Sequence, residues 1–260
     1  MSLAVATTPA VKAGLSTLSL NAFDAPANSL LVLTWAGPWA NFTVAGGSLT
    51  WTSRRISANR YAQMWTASVP AAKTGLVIQL TGSTFSDVLG GAKAWLVTGA
   101  DASPVGATGT GTSTANTLNA AAYTTTRSGS LCFFAAYENA TNYPSPTLPT
   151  TTDVGEAYSI RDVYGTNGGG VVGRKAAPAT AAGQAVQINA DAAGTAAAAW
   201  EWAAMEILPP TDSSPPNAPT GLRVTEVTGT SFTLAWDAAS DPSGIAGYGV
   251  YLDGIKVAGP

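Results

Sequence analysis

The sequence contains no histidine, and this absence excludes several kinds of active site. Ser-His-Asp and Cys-His nucleophile systems, histidine-ligated zinc or iron and imidazole acid–base catalysis all depend on that side chain. A catalyst built from this chain would have to use carboxylates, tyrosine or lysine. No stretch of the sequence combines such groups in a catalytic or metal-binding pattern, so we predict that the chain is not an enzyme and uses no cofactor or metal.

Cysteine and charged residues are also scarce. Cys132 is the single cysteine, so no intrachain disulfide can form, and its place in an apolar run predicts a small buried side chain. Charged residues make up 10% of the chain and the net charge is −3, which predicts no nucleic-acid binding. No apolar run approaches the roughly 18 residues that span a bilayer, and no positively charged region precedes an apolar stretch at the N-terminus. We therefore expect neither membrane insertion nor Sec export from this terminus.

A proline-rich linker at residues 209–219 divides the chain into residues 1–208 and 220–260. The larger part is rich in Ala, Thr, Gly, Val and Leu, with turn-forming residues about every eight to twelve positions, which predicts an all-β fold. We expect a large antiparallel β-sandwich that resembles a jelly roll. Residues 107–126 are expected to form an exposed loop or an edge strand. The other predicted strands are 16–23, 29–35, 48–53, 61–69, 76–80, 93–98, 130–137, 156–163, 170–175, 185–189 and 197–208.

The predicted strands fall into two series that run in the same order, which suggests an internal repeat. The matched positions are Ser29 with Ser130 (130 − 29 = 101), Pro70 with Pro178 (178 − 70 = 108) and Trp95 with Met205 (205 − 95 = 110). We predict a pseudo-repeat of residues 15–100 and 123–208. It would form either one sandwich built from two similar halves or two closely packed subdomains.

Residues 220–260 alternate apolar and polar side chains, as strands with one buried face do. The dipeptide Asp253-Gly254 predicts a two-residue hairpin turn. With the preceding prolines, Trp236 and the Gly-Tyr-Gly-Val sequence around Tyr248, this part resembles the first half of a fibronectin type III repeat. The resemblance implies core positions for Trp236 and Tyr248 and the role of a spacer or adhesive bead. A complete sandwich of this kind has about seven strands, of which four are expected here.

A second resemblance covers residues 1–208. The segments that carry it are ANSLLV at 27–32, GSLTW at 47–51, VTGAD at 97–101, PVG at 104–106 and MEILP at 205–209. They resemble a β-sandwich module of virion proteins from tailed phages and prophages of high-GC bacteria. The resemblance implies a virion component that is assembled in the host cytoplasm and contacts tail or capsid subunits.

Two motifs could indicate chemistry. Residues 168–173 match the dinucleotide pattern GxGxxG, but no helical period follows, so we expect a flexible loop that leads into a strand. Paired carboxylates can hydrolyse glycosides without histidine, and the acids considered for this role are Asp153, Glu156, Asp162, Glu201 and Glu206. We expect all five at solvated faces and turns, with Glu201 and Glu206 on opposite faces of one strand.

Aromatic side chains in predicted loops are the candidates for binding. Exposed rings offer flat apolar faces to sugars and anchor protein interfaces, and Trp39, Phe42 and Tyr143 are the possible ligand or interface residues. The leading hypothesis is a structural protein of a tailed phage, namely a minor tail or host-attachment component that binds and displays. The alternatives are a capsid decoration protein or head fibre, and a carbohydrate-binding module of a secreted bacterial enzyme. A homo-oligomer and a host cell-surface glycan partner are expected.

Overall fold

A computed structural model describes residues 2–12, 17–38, 41–82, 90–115, 117–139, 154–161, 169–191, 199–211, 215–241, 245 and 247–259. They form two compact units, residues 2–210 and 211–260. The secondary structure that the described residues contain is β-strand, and every pairing between strands is antiparallel, so the predicted all-β class is confirmed. In the same part of the chain, no helix has the length and apolar character needed to cross a membrane.

The unit 2–210 contains seventeen described strands. In its first half these are β1 (Ala4–Lys12), β2 (Thr17–Ser19), β3 (Phe23–Ala25), β4 (Ser29–Ala36), β5 (Phe42–Ala45), β6 (Thr52–Ile56), β7 (Ala62–Val69), β8 (Lys73–Leu76), β9 (Gln79–Gly82) and β10 (Gly91–Thr98). In its second half they are β11 (Val105–Ser113), β12 (Thr117–Thr124), β13 (Leu131–Glu138), β14 (Val154–Arg161), β15 (Gly169–Lys175), β16 (Ala185–Asp191) and β17 (Trp200–Ile207).

Each half contributes one five-stranded sheet, and the two sheets have equivalent strand orders. The first is β1-β10-β4-β7-β6 and the second is β11-β17-β13-β15-β14. Val32 pairs with Trp95 and Thr66, whereas Phe133 pairs with Met205 and Arg174. Equivalent residues are therefore separated by 133 − 32 = 101, 205 − 95 = 110 and 174 − 66 = 108 positions. These are the offsets that relate the similar sequence segments.

The sheets stack in four layers with three apolar cores between them. Sheets β2-β9-β5 and β3-β8 cover the outer face of the first five-stranded sheet, and β12-β16 covers the outer face of the second. The inner faces of the two five-stranded sheets pack against each other through side chains such as Trp95 and Phe133. Strands β4, β10, β13 and β17 are therefore buried on both faces, which explains their nearly continuous apolar sequences.

The segment expected as an exposed loop or an edge strand contains two strands, β11 and β12, and β11 is an edge strand of the second five-stranded sheet. Its small residues are required by close packing. A Cβ atom on Gly109 would lie 2.0 Å from the carbonyl oxygen of Ala122, and one on Gly111 would lie 2.8 Å from the Trp202 ring. The glycine-rich motif leads into a strand as expected, since Gly169–Lys175 forms β15. A Cβ on Gly170 would lie 2.9 Å from that of Ala36, so the glycine permits the close approach of the two halves.

The unit 211–260 contains β18 (Thr220–Thr225), β19 (Thr233–Asp237), β20 (Val250–Leu252) and β21 (Ile255–Ala258). Asp253 and Gly254 have φ angles of 52° and 82°, the two positive values that a type I′ turn requires. Trp236 and Tyr248 meet edge to face with their ring centroids 5.4 Å apart, and both are half-buried. Large apolar side chains of this unit are more than half exposed: Leu222, Val224, Val227, Phe232, Tyr251, Leu252, Ile255 and Val257.

Candidate functional site

The aromatic residues that the sequence indicated do not form a site among the described residues. Trp39 and Tyr143 lie outside those residues. Phe42 begins β5 and is only 6% exposed, with its ring 5.2 Å from that of Trp35 in an edge contact. Its side chain belongs to the apolar core of the first half because alternation along β5 turns it inward. The ring of Phe42 therefore offers no face to a ligand.

Glu206 is buried, which corrects its expected place on a solvated face. Its carboxylate accepts hydrogen bonds from the Ser130 hydroxyl at 2.7 Å, the Ala107 amide at 2.8 Å, and the amide and hydroxyl of Thr126 at 2.9 and 2.8 Å. Burial alone would raise the pKa of Glu206, but these hydrogen bonds outweigh it and hold the pKa below its usual value. Glu206 thus fastens β11 and the β12–β13 connection to β17.

Glu201 is also buried, contrary to expectation, and it joins the two halves. Its carboxylate accepts from the backbone amide of Asn59 at 3.0 Å and from the side-chain amide of the same residue. Nearby, Asn139 donates to the Tyr61 hydroxyl at 3.0 Å. Burial, with a smaller contribution from the charge of Glu201, raises the pKa of Tyr61. These polar groups cross the junction between the β6–β7 turn and the second five-stranded sheet.

The described acids do not form a hydrolytic pair. Glu201 faces the first half whereas Glu206 faces β11 and β12, so the two lie on opposite faces of β17 as predicted. Asp153 and Asp162 lie outside the described residues, and so does the side chain of Glu156. In the described part of the chain, no cluster of three acidic or cysteine side chains could hold a metal ion.

Lys93 is a buried cation that the sequence analysis did not identify. It is fully buried, its ammonium nitrogen lies 3.1 Å from the Tyr158 hydroxyl, and it sits 4.3 Å from the centroid of that ring. The same nitrogen is 5.5 Å from the centroid of the Trp95 ring. Cation–π contacts of this kind stabilise a desolvated ammonium group, so Lys93 has a structural role between the two halves.

A cleft with a volume of about 480 Å³ is bordered by β12, β16 and the β15–β16 connection. Its wall includes Cys132, which is 5% exposed and is a small buried side chain as predicted. Burial strongly raises the pKa of Tyr123 beside it, with smaller contributions from Cys132 and Glu206. The phenol therefore stays protonated at all physiological pH values.

A second groove, of about 410 Å³, runs along the exposed edge of the first five-stranded sheet. We call it the β6 groove. Four exposed hydroxyl side chains line it, and Arg54 donates to the Thr66 hydroxyl at 2.7 Å in its wall. Leu49 and Pro70 supply apolar surface. The four hydroxyl residues are Ser48, Thr50, Thr52 and Ser68. Hydroxyl groups and one fixed guanidinium beside apolar patches are suited to a hydrophilic ligand such as a saccharide.

No protein-family model and no solved structure matches the chain. Short segments are similar to three chitinases. Chitinase Chi52 of Paenibacillus xylanexedens is 45% identical over 49 residues, which is 19% of this chain and 9% of that protein. Chitinase A1 of Niallia circulans is 48% identical over 44 residues (17% and 6%), and exochitinase 1 of Streptomyces olivaceoviridis is 54% identical over 44 residues (17% and 7%). The chain thus covers less than a tenth of the length of these relatives.

Proposed function

We propose that the chain is a non-catalytic polysaccharide-binding part of an extracellular protein, in which residues 2–210 bind and residues 211–260 act as a spacer. The similarity to three chitinases over 44 to 49 residues carries the proposal. The compact unit 211–260 contains 260 − 210 = 50 residues, so its size fits the matched length. We assign the similarity to this fibronectin-like unit, which would be shared with enzymes that act on chitin.

The binding role is given to the unit 2–210 because of its side chains. The β6 groove offers exposed hydroxyl groups and Arg54 on a rigid sheet edge, whereas the described acids Glu201 and Glu206 are engaged in buried hydrogen bonds. A rigid scaffold with exposed polar side chains loses little conformational entropy when a ligand binds. Such a part would hold a catalytic or structural partner close to its substrate.

Sedimentation of the full chain with insoluble chitin, cellulose and peptidoglycan tests the proposal. We expect one or more of these polymers to retain the protein. We also expect the protein to release no reducing sugar from any of them into the soluble fraction. Thr50→Ala with Ser68→Ala should weaken retention, while Thr228→Ala with Thr230→Ala removes two hydroxyls from the other unit as a control. Failure of every polysaccharide to retain the wild-type chain would refute the proposal.

The virion resemblance of residues 1–208 favours a second candidate function, a structural protein of a tailed phage. In that case the unit 2–210 would dock on tail or capsid subunits, and the next unit would project from them. Many copies held by particle symmetry would strengthen weak glycan contacts through effective concentration. Host attachment at the tail and decoration of the capsid differ in copy number and position.

Quantitative mass spectrometry and antibody-labelled electron microscopy of purified particles distinguish these roles. A tail component should give few copies at one end of the particle, and a decoration protein should give hundreds over the capsid. Detection of the protein in the culture medium of uninfected cells, with none in particles, would exclude both virion roles and support the extracellular polysaccharide-binding role.

A further inference from the structure

The β6 groove lies next to a concentration of arginine in a chain that has few basic residues. The full sequence has 12 lysines and arginines in 260 residues and a net charge of −3. Arg54, Arg55 and Arg60 nevertheless fall within seven consecutive positions, on β6 and in the turn that follows it. Arg54 and Arg55 are exposed and Arg60 is half-buried.

A β-bulge brings the first two arginines to the same face of the sheet. The pairing of β6 with β7 shifts between Ser53 and Arg55, so Arg54 is the extra residue and both arginines stand opposite Met64. Arg54 reaches Thr66, which lies two positions from Met64 and therefore on the same face. Bulges can redirect side chains in this way, and here Arg54 lines the groove while Arg55 follows it on the same face of the sheet.

The described residues place no acidic side chain within ion-pair distance of Arg54, Arg55 or Arg60. The carboxylate of Glu201, which meets the turn after β6, accepts from both amide groups of Asn59. The positive charge of this edge is therefore available to a partner from solution. Guanidinium groups bind carboxylate and phosphate oxygens in a two-pronged geometry that lysine cannot reproduce.

We propose that the β6 groove and its arginines bind an anionic polysaccharide, with the arginines on its acidic groups and the four exposed hydroxyls on its sugar rings. The inference rests on the proposed polysaccharide-binding function and gives it a ligand class. An edge strand also carries charge to prevent pairing with other sheets. That role needs no hydroxyl-lined groove beside the charge, and it predicts aggregation rather than lost binding when the arginines are removed.

Isothermal titration of the full chain with soluble polygalacturonate, a neutral mixed-linkage β-glucan and polyphosphate tests the ligand class. We expect binding to polygalacturonate that weakens steeply with added salt, because salt screens the charges and reduces the entropy gained when counterions are released. Arg54→Ala with Arg55→Ala should weaken it about tenfold or more. Arg223→Ala with Lys256→Ala removes the same charge from the other unit and should leave the affinity within about twofold.

A chemical measurement covers the case in which the double variant folds poorly. Phenylglyoxal modifies exposed arginines, and peptide mass spectrometry of the wild-type chain should show that polygalacturonate protects Arg54 and Arg55 but not Arg223. Binding to the neutral glucan alone would overturn the anionic ligand and leave the proposed function intact. Equal binding of polyphosphate would overturn the sugar specificity. Absence of binding to any polysaccharide would refute both proposals.

Discussion

Replacing Glu206 with glutamine should lower the free energy of unfolding of the unit 2–210 by about 2–3 kcal/mol. The carboxylate is fully buried and receives strong hydrogen bonds from Ala107, Thr126 and Ser130. The glutamine amide keeps one acceptor oxygen, and the hydroxyl groups can rotate to accept from its NH2 group. The amides of Ala107 and Thr126 make their shortest contacts to different carboxylate oxygens, so the NH2 group of glutamine weakens one of these two hydrogen bonds. One hydrogen bond to a charged group contributes about 1.5–3 kcal/mol.

Replacement of Glu206 with leucine should cost more, about 4–5 kcal/mol, because it leaves the buried backbone amides of Ala107 and Thr126 without an acceptor. Urea unfolding followed by tryptophan fluorescence measures both variants, since Trp35, Trp95 and Trp200 are all fully buried in this unit. Asp24→Asn is the matched control, because Asp24 makes one exposed hydrogen bond to the Gly75 amide. Its cost should stay below about 1 kcal/mol.

The effect of Glu206→Gln should also depend on pH. The folded-state pKa of Glu206 is lowered, so its contribution is fully present above the unfolded value of about 4.3 and is lost as the pH falls through the folded value. The difference in the free energy of unfolding between wild type and Glu206→Gln should thus be constant from pH 8 to 6 and shrink below pH 4. A cost within 1 kcal/mol for both glutamine and leucine, or a difference that grows in acid, would refute this account of Glu206.

Further predictions concern Glu201 at the junction between the two halves, the close packing at Gly109 and the thiol of Cys132. Glu201→Ala should cost about 3 kcal/mol in urea unfolding because it removes the acceptor of two amide groups between the halves, and Glu201→Gln should cost about half as much. Gly109→Ala should destabilise by more than about 3 kcal/mol, since its Cβ would meet a backbone oxygen at 2.0 Å, whereas Gly229→Ala has open space and should be within about 0.5 kcal/mol of wild type. Cys132 should react with iodoacetamide at least about a hundredfold more slowly in the native chain than in 8 M urea, and equal rates would contradict its burial.

The main strands were predictable because their sequences match their surroundings. Strands β4, β10 and β13 are nearly continuous apolar runs, and each predicted range lies within two residues of the observed one at both ends. The alanine-rich segment before residue 206 was the exception to local propensity. It forms β17 because Trp200 and Trp202 pack on one face while Ala203 and Met205 pack on the other, so tertiary contacts decided its conformation.

The roles of the charged residues were not predictable from the sequence. The rule that acids lie at solvated surfaces holds on average, but Glu206 is satisfied by partners 76 to 99 positions away. No local pattern reveals such partners. The cluster of Arg54, Arg55 and Arg60 was visible in the sequence, yet its significance depends on the bulge in β6 and on the groove beside it. Both features depend on strand pairing.

The duplicated architecture explains why so many polar groups are buried in a protein with so few charges. A single sandwich of this kind would leave the inner face of its five-stranded sheet in water, where Lys93 and Glu201 would be ordinary surface residues. Stacking the two halves covers that face, and each group then needs a partner from inside the protein. Lys93 donates to the Tyr158 hydroxyl, and Glu201 accepts from both amide groups of Asn59. These contacts fix how one half sits on the other, because apolar packing alone has little directional preference.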